Sequence, residues 1–425
     1  MLDIQFIREN PDKVKQASLN KKDPADIESI LELDRKRREI IYEVEQLKSL
    51  RNKKSQEIAL LKKEKNDASG ILSEMKTVSE QIKNFDTDLK TIEDDIRAIA
   101  IKIPNVPHET VPHGASEEDN VVVSEWGEEP SFKFTPKDHL ELGESLGLFD
   151  FTRGAKISGA GFPLYKGAGA LLERALISFF LDTHVTKNGY TEIFPPFLAN
   201  EESHFGTGQL PKSADQMYYI GEDRLFCIPT AEVPVTNIHR GEIFNEEQLP
   251  VKYCAYSACF RREAGSYGKD TKGFLRLHQF NKVEMVKFVV PENSYDELES
   301  LRENAEGILQ ALGLKYRVLA LCDADLSFAA AKCYDLEVWA PGEKKFLEVS
   351  SCSNFESFQA RRMNIRYKPG EGGKPRYIHT LNGSGVATAR ILVALLETYQ
   401  TSRGTIRIPE VLQPYMRGVK EIQSS

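Results

Sequence analysis

The most regular hydrophobic pattern in the chain runs through residues 71–103. Apolar side chains recur there at alternating intervals of four and three residues, at Ile71, Met75, Val78, Ile82, Phe85, Leu89, Ile92, Ile96, Ile99 and Ile103. A weaker copy precedes it at Ile30, Leu33, Ile40, Val44, Leu47, Ile58 and Leu61, interrupted by Arg37, Arg51 and Lys54. Such a heptad seam is typical of two helices packed along each other.

Turn signals join these two helices into a hairpin. The sequence NDASG at residues 66–70 predicts a turn between them, and Pro104 and Pro107 end the second helix. Two helices of about 35 residues each would make an arm about 50 Å long at 1.5 Å per residue. We therefore predict an N-terminal domain over residues 1–103 that carries an antiparallel helical hairpin from about 27 to 103.

Beyond the hairpin the pattern changes twice. Residues 104–135 are rich in Pro, His, Glu and Asp with little periodicity, and they predict a linker. Residues 136–425 mix an amphipathic helix at 169–186 with short β-branched and aromatic runs at 190–194, 225–228, 253–261, 280–290, 316–321, 333–339 and 345–350. Their number and short connections predict an α+β domain built on a mostly antiparallel sheet flanked by helices.

Charge is distributed unevenly along the predicted arm. The chain has 56 Lys and Arg against 64 Asp and Glu, a net charge of -8, but residues 31–66 carry eleven bases against seven acids. The first helix is therefore the candidate polyanion-binding surface, through Arg35, Lys36 and Arg38 and through Arg51, Lys53 and Lys54. The alternative for any single residue, a solvated flank of the coiled coil, is the more common one.

Other features exclude several classes of protein. The six cysteines form no CxxC pair and lie at no zinc spacing from a histidine, which indicates reduced intracellular thiols. No secretion signal and no apolar stretch of about 20 residues is present, so we expect a cytoplasmic protein without a membrane partner. The absence of GxGxxG after a strand and of GxxxxGK[ST] argues against a Rossmann or P-loop nucleotide site.

Three segments carry the candidate chemistry: GYTEIFPPFL at 189–198, FRREAGSYGKDTKGFLRLHQFNKVEMV at 260–286 and LNGSGVATARILVALLETYQ at 381–400. In order and spacing they resemble the signature motifs of class II aminoacyl-tRNA synthetases. Together with MLDIQFIRENPDKV at the N-terminus, KDHLELGE at 137–144, TAE at 230–232 and EVSSCSNFESFQARR at 348–362, they resemble the bacterial seryl-tRNA synthetases along nearly the whole chain.

The resemblance implies an ATP site. Its residues would be Arg261, Arg262, Glu263, Arg276, Leu277, His278, Gln279, Phe280, Glu348, Val349, Ser350, Ser351 and Arg390, with Arg261, Glu263 and Arg390 catalytic. Arg261 would bridge the substrate carboxylate and the α-phosphate, and Glu263, two residues along an expected strand, would face the same way and accept from the adenine amino group. Phe280 and Arg390 would stack on the base.

Other members of this set have less definite roles. Arg276, expected with His278 on the strand face of Phe280, would meet the pyrophosphate. His278 stays open between a structural histidine and a phosphate ligand. Arg262 stands where many relatives have Ser, and by alternation it should point to the other face.

The resemblance also implies serine-binding residues: Thr230, Ala231, Glu232, Arg261, Glu284, Asn382 and Ser384. Glu284 shares the strand face of Phe280, so one strand would present both sites. A helix after Gly385 would aim backbone N–H groups at the phosphates, and Ser384 has an alternative role as its N-cap.

Glu348 and Ser351 would hold Mg²⁺. Residues three apart on a regular strand face opposite sides, so a β-bulge or the strand end is expected near residues 349–350.

These features together predict a serine–tRNA ligase that forms seryl-adenylate from L-serine and ATP and then charges serine tRNA. As in the family, the arm would bind the tRNA, and a homodimer would form around Pro195 and Pro196. A selenocysteine tRNA is a further substrate where one is present. The sequence leaves three alternatives: a ligase acting on a carrier protein, a noncatalytic coiled-coil scaffold, and a class II enzyme for another amino acid.

Overall fold

The computed structural model describes residues 1–264, 273–370 and 372–424. The chain divides into two compact units, Met1–Pro104 and a second that begins at Asn105. The division lies one residue from the domain boundary expected at residue 103. Within the described residues no helix is long and apolar enough to cross a membrane.

The first unit is helical. Its helices are α1 (Ile4–Glu9), α2 (Pro11–Asn20), α3 (Ile27–Lys63) and α4 (Ser69–Ala100). The Asp26 carboxylate caps α3 by accepting from the backbone N–H of Ser29 at 3.0 Å, and the Asp67 carboxylate accepts from Ser69 N–H at 2.9 Å in the turn before α4. The pairs Arg37–Glu93, Lys48–Asp86 and Lys54–Glu74 show that α3 and α4 run antiparallel.

The seam between α3 and α4 follows the predicted heptads. Met75, Val78 and Ile82 are buried, and the other predicted α4 seam residues are at least half-buried. The cations that interrupt the α3 seam are half-buried on it. Arg37 Nε lies 3.2 Å from a Glu93 carboxylate oxygen, and Lys54 Nζ lies 3.8 Å from one of Glu74. Two of the three interruptions, Arg37 and Lys54, therefore form ion pairs between the two helices.

The second unit combines strands and helices. Its strands are β1 (Val121–Trp126), β2 (Thr191–Ile193), β3 (Leu198–Asn200), β4 (Tyr219–Ile220), β5 (Leu225–Cys227), β6 (Ile243–Asn245), β7 (Val251–Phe260), β8 (Gln279–Val289), β9 (Tyr316–Ala320), β10 (Lys332–Ala340), β11 (Lys345–Asn354), β12 (Arg366–Lys368), β13 (Arg376–Tyr377), β14 (His379–Ala387), β15 (Ile406–Arg407) and β16 (Glu421–Ile422). Its helices are α5 (His139–Ser145), α6 (Phe151–Ser158), α7 (Ala168–Thr186), α8 (Glu201–Thr207), α9 (Glu232–Thr236), α10 (Ser294–Ala311), α11 (Phe358–Met363) and α12 (Thr388–Thr398).

An eight-stranded sheet in the order β1-β9-β10-β11-β14-β8-β7-β2 forms the frame of this unit. All of its neighbours are antiparallel except β2 and β7. Helices α7, α10 and α12 pack on the sheet and bury the main apolar core. The α+β architecture predicted from the sequence is confirmed, and the central strands β8, β11 and β14 carry about half of the predicted serine and ATP site residues.

The segment expected to be a linker, residues 104–135, is instead part of the second unit. Asn105 Nδ2 donates to the carbonyl oxygens of Ala329 and Phe355, both at 2.9 Å. β1 pairs with β9 at the edge of the large sheet. Its residues are almost all exposed, so the segment lacks the alternation that would have marked it as a half-buried strand.

Candidate active site

A cavity of about 220 Å³ lies where β8, β11 and the start of α12 meet the chain after β7. Its lining includes nine predicted site residues: Arg261, Glu263, Arg276, Leu277, Phe280, Glu348, Val349, Ser384 and Arg390. Phe274, Leu275, Lys282, Ala387 and Ala389 complete the lining. Residues from four distant segments therefore converge on one pocket, which is called the nucleotide pocket below.

The expected strand positions of Arg261 and Glu263 are wrong, because β7 ends at Phe260. Glu263 adopts a positive φ of 49° in the loop that follows. Its carboxylate nevertheless turns into the nucleotide pocket, where it lies 3.1 Å from Arg276 Nη1. A loop conformation, rather than strand alternation, brings these side chains together.

The residues that precede β8 also lie outside the strand in which they were expected. β8 begins at Gln279, so Arg276 and His278 precede the strand and do not share a strand face with Phe280. The Arg261 backbone N–H donates to the His278 carbonyl at 3.0 Å and joins the two ends. Residues 265–272 of the second motif lie outside the described residues.

Arg261 has a guanidinium available to an anionic substrate. It lies over the Phe280 ring, 5.1 Å from the centroid, and its Nε donates to the Pro229 carbonyl at 3.4 Å. Within the described part of the chain it forms no ion pair. A planar guanidinium held in this way can bind a carboxylate or a phosphate in a bidentate manner.

Arg390 is fixed at the opposite wall. Its Nη1 donates to the Glu348 carbonyl at 2.8 Å and lies 3.3 Å from that residue's carboxylate, and its Nε donates to the Leu275 carbonyl at 3.4 Å. These contacts hold the guanidinium plane in the pocket that Phe280 also lines, as the predicted stacking of a base requires.

The helix expected after Gly385 begins later, at Thr388, because β14 continues to Ala387. Ser384 is therefore a strand residue opposite Glu284, and its alternative role as a helix N-cap is wrong. Its carbonyl accepts from the Ser350 hydroxyl at 2.5 Å. Ala387, at the end of β14, and Ala389, in the first turn of α12, line the nucleotide pocket together with Ser384.

The expected bulge in β11 falls at Val349. The pairing with β10 passes from Leu336 opposite Ser350 to Glu337 opposite Glu348, which leaves Val349 without a partner. Glu348 and Ser351 consequently line the same cavity of about 460 Å³, while Glu348 also lines the nucleotide pocket. Residues three apart on a regular strand face opposite sides, and the bulge is what allows Glu348 and Ser351 to face the same ligand.

Acidic and hydroxyl groups gather in this second cavity, which also contains Asp335. Burial and the nearby Glu348 carboxylate raise the pKa of Asp335 well above its usual range. The donor set of two carboxylates and a hydroxyl is of the hard oxygen type that divalent cations such as Mg²⁺ bind.

The predicted serine-binding residues form a buried network beside the nucleotide pocket. The Thr230 hydroxyl donates to Glu284 Oε2 at 3.0 Å, and Asn382 Nδ2 donates to Glu284 Oε1 at 2.8 Å. Burial and the Glu284 charge raise the pKa of Glu232 to about 7. Ala231, which stands between Thr230 and Glu232 in the sequence, is fully buried.

Two residues of this network escaped the sequence analysis. Gln359 Nε2 donates to Glu232 Oε1 at 2.7 Å, and Lys282 Nζ donates to Thr230 Oγ1 at 3.0 Å while it pairs with the Glu284 carboxylate. The period of two along β8, which connects Phe280 with Glu284, also passes through position 282 and could have revealed the lysine.

Other predicted residues lie outside the lining of the nucleotide pocket. Arg262 is exposed and its N–H donates to the Gln216 carbonyl at 2.8 Å, and Gln279 is exposed at the start of β8. His278 Nδ1 lies 3.2 Å from the Tyr218 hydroxyl, and its ring stacks on Phe162 with centroids 5.4 Å apart. This environment favours the structural role for His278.

The basic residues of the arm differ in their pairing. Lys36 pairs with Glu32 at 2.7 Å, Arg38 pairs with Asp34 at 3.2 Å, and Lys54 pairs with Glu57 and Glu74. In the described residues Arg35, Arg51 and Lys53 form no ion pair. A polyanion could therefore contact these three cations without first breaking an ion pair.

Comparisons with known proteins agree with this geometry. Residues 218–399 match the family described as the tRNA synthetase class II core domain (G, H, P, S and T), and residues 1–107 match the seryl-tRNA synthetase N-terminal domain. The fold and the site together define a class II aminoacyl-tRNA synthetase.

Comparison with similar proteins identifies the family within this class. The chain is 56% identical over 422 residues to the serine–tRNA ligase of Chlorobium phaeobacteroides, with 98% of each chain covered. It is 57% identical over 425 residues to that of Chloroherpeton thalassium, covering 98% and 99%. The crystal structure of seryl-tRNA synthetase from Pyrococcus horikoshii complexed with ATP has a TM-score of 0.94 at 38% identity, with both chains fully covered. The chain belongs to the seryl-tRNA synthetase family, whose activity is that of an ATP-dependent serine–tRNA ligase.

Proposed function

We propose that this chain forms seryl-adenylate in the nucleotide pocket and its adjoining serine network, and then transfers serine to the 3′-terminal adenosine of serine tRNA. The observation that carries the assignment is the arrangement on β8, where Phe280 faces the nucleotide pocket and Glu284 joins Thr230 and Asn382. One strand therefore supports adjacent sites for a base and for a small polar amino acid.

The residues suit the adenylation step. A serine carboxylate oxygen attacks the α-phosphorus, a new O–P bond forms, and the bond to pyrophosphate breaks. Arg261, which has no ion-pair partner among the described residues, would hold the carboxylate and the α-phosphate together and so reduce their mutual repulsion. Glu263 and Arg276, paired at 3.1 Å, would take the adenine amino group and the pyrophosphate.

Recognition of serine would fall to the buried network. Glu232 and Glu284 would receive the ammonium and the hydroxyl group. An alanine in the same place would leave buried polar groups unpaired, a penalty that can reject it by about 10⁴-fold.

A divalent cation fits the second cavity. Glu348 and Ser351 would hold Mg²⁺, and a cation there would also relieve the repulsion between the Asp335 and Glu348 carboxylates that helps to raise the pKa of Asp335. When bound, the metal would supply positive charge that offsets the charge of the triphosphate and of the transition state. The protein's own contribution is the Val349 bulge, which gives Glu348 and Ser351 a common cavity.

The helical hairpin is the proposed tRNA-binding element. Arg35, Arg51 and Lys53 would contact phosphates of the RNA, with Lys36, Arg38 and Lys54 joining after release from their acidic partners. We also propose a homodimer, with the segment around Pro195 and Pro196 at its interface. The neighbouring Phe194 is 75% exposed, which supports a covered position in an assembly. The six cysteines are unpaired, which supports a reducing compartment such as the cytoplasm.

The decisive experiment is ATP–pyrophosphate exchange by the purified full-length chain with serine, threonine, alanine and cysteine, followed by charging of a serine tRNA transcript. Exchange with serine alone, together with serine charging, is expected. Stronger exchange with another amino acid would reassign the pocket. Exchange without charging of tRNA would favour a different acceptor.

A further inference from the structure

Lys282 is a buried cation inside the serine network that the adenylation chemistry above does not use. Its side chain is 7% exposed and it lines the nucleotide pocket. Its Nζ pairs with Glu284 Oε2 and lies 3.0 Å from Thr230 Oγ1. A buried ammonium is stable only when hydrogen-bonding or charged partners replace its lost hydration. The contacts of Lys282 therefore also fix the positions of Glu284 and Thr230.

The Thr230 hydroxyl has no hydrogen-bonding capacity left. It donates to Glu284 Oε2 at 3.0 Å and accepts from Lys282 Nζ at 3.0 Å and from the Glu232 backbone N–H at 3.1 Å. A hydroxyl offers one donor and two acceptor positions, and all three are occupied. Thr230 therefore serves to hold Glu284 and Lys282 in place.

Glu284 is held from both sides. Its Oε1 accepts from Asn382 Nδ2 at 2.8 Å, and its Oε2 accepts from Thr230 and Lys282. Every one of these partners is a donor, so both carboxylate oxygens act as acceptors. An ionised carboxylate accepts hydrogen bonds and cannot donate them.

Lys282 is the cation that the two buried acids of the network share. It pairs with Glu284 directly, and where burial and the Glu284 charge raise the pKa of Glu232, the charge of Lys282 lowers it. Removing Lys282 would leave the repulsion between the two acids unopposed, which favours the neutral form of one of them.

We propose that Lys282 is a specificity-determining residue that holds the Glu284 carboxylate in place as the acceptor for the substrate's side-chain hydroxyl. This inference rests on the proposed serine site. Lys282 acts through Glu284 and therefore affects an amino acid that has a hydroxyl more than one that lacks it. The alternative is a lysine that stabilises the fold and has no effect on selection.

The same strand offers a matched control. Lys287 lies on β8, is fully buried, and pairs with the Glu297 carboxylate at 2.7 Å and the Ser300 hydroxyl at 3.2 Å. It does not line the nucleotide pocket. Lys282→Met and Lys287→Met thus remove the same group from the same strand, one inside the serine network and one outside it.

The test compares the two variants in the full-length enzyme by ATP–pyrophosphate exchange with serine and with alanine. For Lys282→Met we expect kcat/KM for serine to fall about 100-fold while that for alanine changes less than about 3-fold, because only the hydroxyl contact is lost. Lys287→Met should change both values less than about 3-fold. The double variant Lys282→Met with Glu284→Gln should be no worse than Glu284→Gln alone, because coupled residues are not additive.

Two results would overturn the inference: an unchanged ratio of the serine to the alanine kcat/KM in Lys282→Met, or losses in the double variant that add. If Lys282→Met does not fold, Lys282→Gln, which keeps a donor to Thr230 without the charge, is measured by the same criteria. A wild-type enzyme that shows no exchange with serine would contradict the proposed function instead, so the two failures are distinguishable.

Discussion

The helical hairpin and the serine network treat charged side chains in opposite ways. On the hairpin most charges lie on the solvated flanks, although Arg37, Arg51 and Lys54 are half-buried on the seam. Asp34 is the one buried acid among the described residues of α3 and α4, and the apolar seam holds the helices together. In the network Glu232, Lys282 and Glu284 are all buried and contact one another or shared partners.

This difference determines how much stability each region loses when one of its charged side chains is removed. An exposed ion pair contributes about 0–1 kcal/mol, so the arm tolerates loss of single charges. Removing one partner of a buried pair costs about 3–5 kcal/mol because the other is left uncompensated. In the proposed function, the arm would bind through many weak, replaceable contacts, whereas the network would select its substrate through a few that cannot be replaced.

The largest expected effect belongs to the pocket. Arg261→Ala should lower kcat/KM for serine-dependent exchange by about 10³-fold, because it removes the guanidinium that would hold the two reacting anions. Arg262→Ala is the matched control, since the adjacent arginine is exposed and lies outside the pocket lining. Similar losses in both variants would show that the loop as a whole, rather than the Arg261 contact, is required.

Shortening the arm should impair tRNA charging and leave serine activation intact. Lys48 and Asp86 lie opposite each other on α3 and α4, 3.8 Å apart, so residues 49–85 can be replaced by a short glycine linker that keeps the base of the hairpin. We expect tRNA charging at limiting tRNA to fall about 100-fold, because several phosphate contacts are lost together. Serine-dependent exchange should stay within about 2-fold. Loss of exchange in this shortened enzyme would mean that the arm also supports the active site.

How far each region was predictable follows from the range of its contacts. The heptads at Met75, Val78 and Ile82 are local in sequence, and they predicted the hairpin and its seam. The pocket depends on loop geometry and on strand register. The positive φ of Glu263 and the late start of α12 are fixed by tertiary contacts that no period of two or 3.6 contains. The Val349 bulge was predictable only because the resemblance paired Glu348 with Ser351.

Buried charge also makes the second unit sensitive to pH. Glu232 has a pKa of about 7 in the folded state against 4.5 ordinarily. The folded state therefore binds the proton more tightly, and stability falls as pH rises from about 4.5 to 7, by at most about 3 kcal/mol. Glu232→Gln should remove this decline. Trp126 and Trp339 are the chain's two tryptophans and both lie in the second unit, so their fluorescence follows its denaturation separately from that of the arm. Equal pH dependence in both proteins would contradict the assignment.

The smallest expected effect is a single charge on the arm. Lys53 is exposed on the basic helix α3 without an ion pair in the described residues, and Lys76 is exposed on the acid-rich α4. Lys53→Gln should raise the KM for tRNA about 2–3-fold and reduce the slope of log affinity against log salt by about 0.7–0.9, the value for one phosphate contact. Lys76→Gln should change neither, because we place the RNA on α3. Equal changes in both variants would mean that the arm attracts RNA through its total charge, and the proposed division between its two helices would then be wrong.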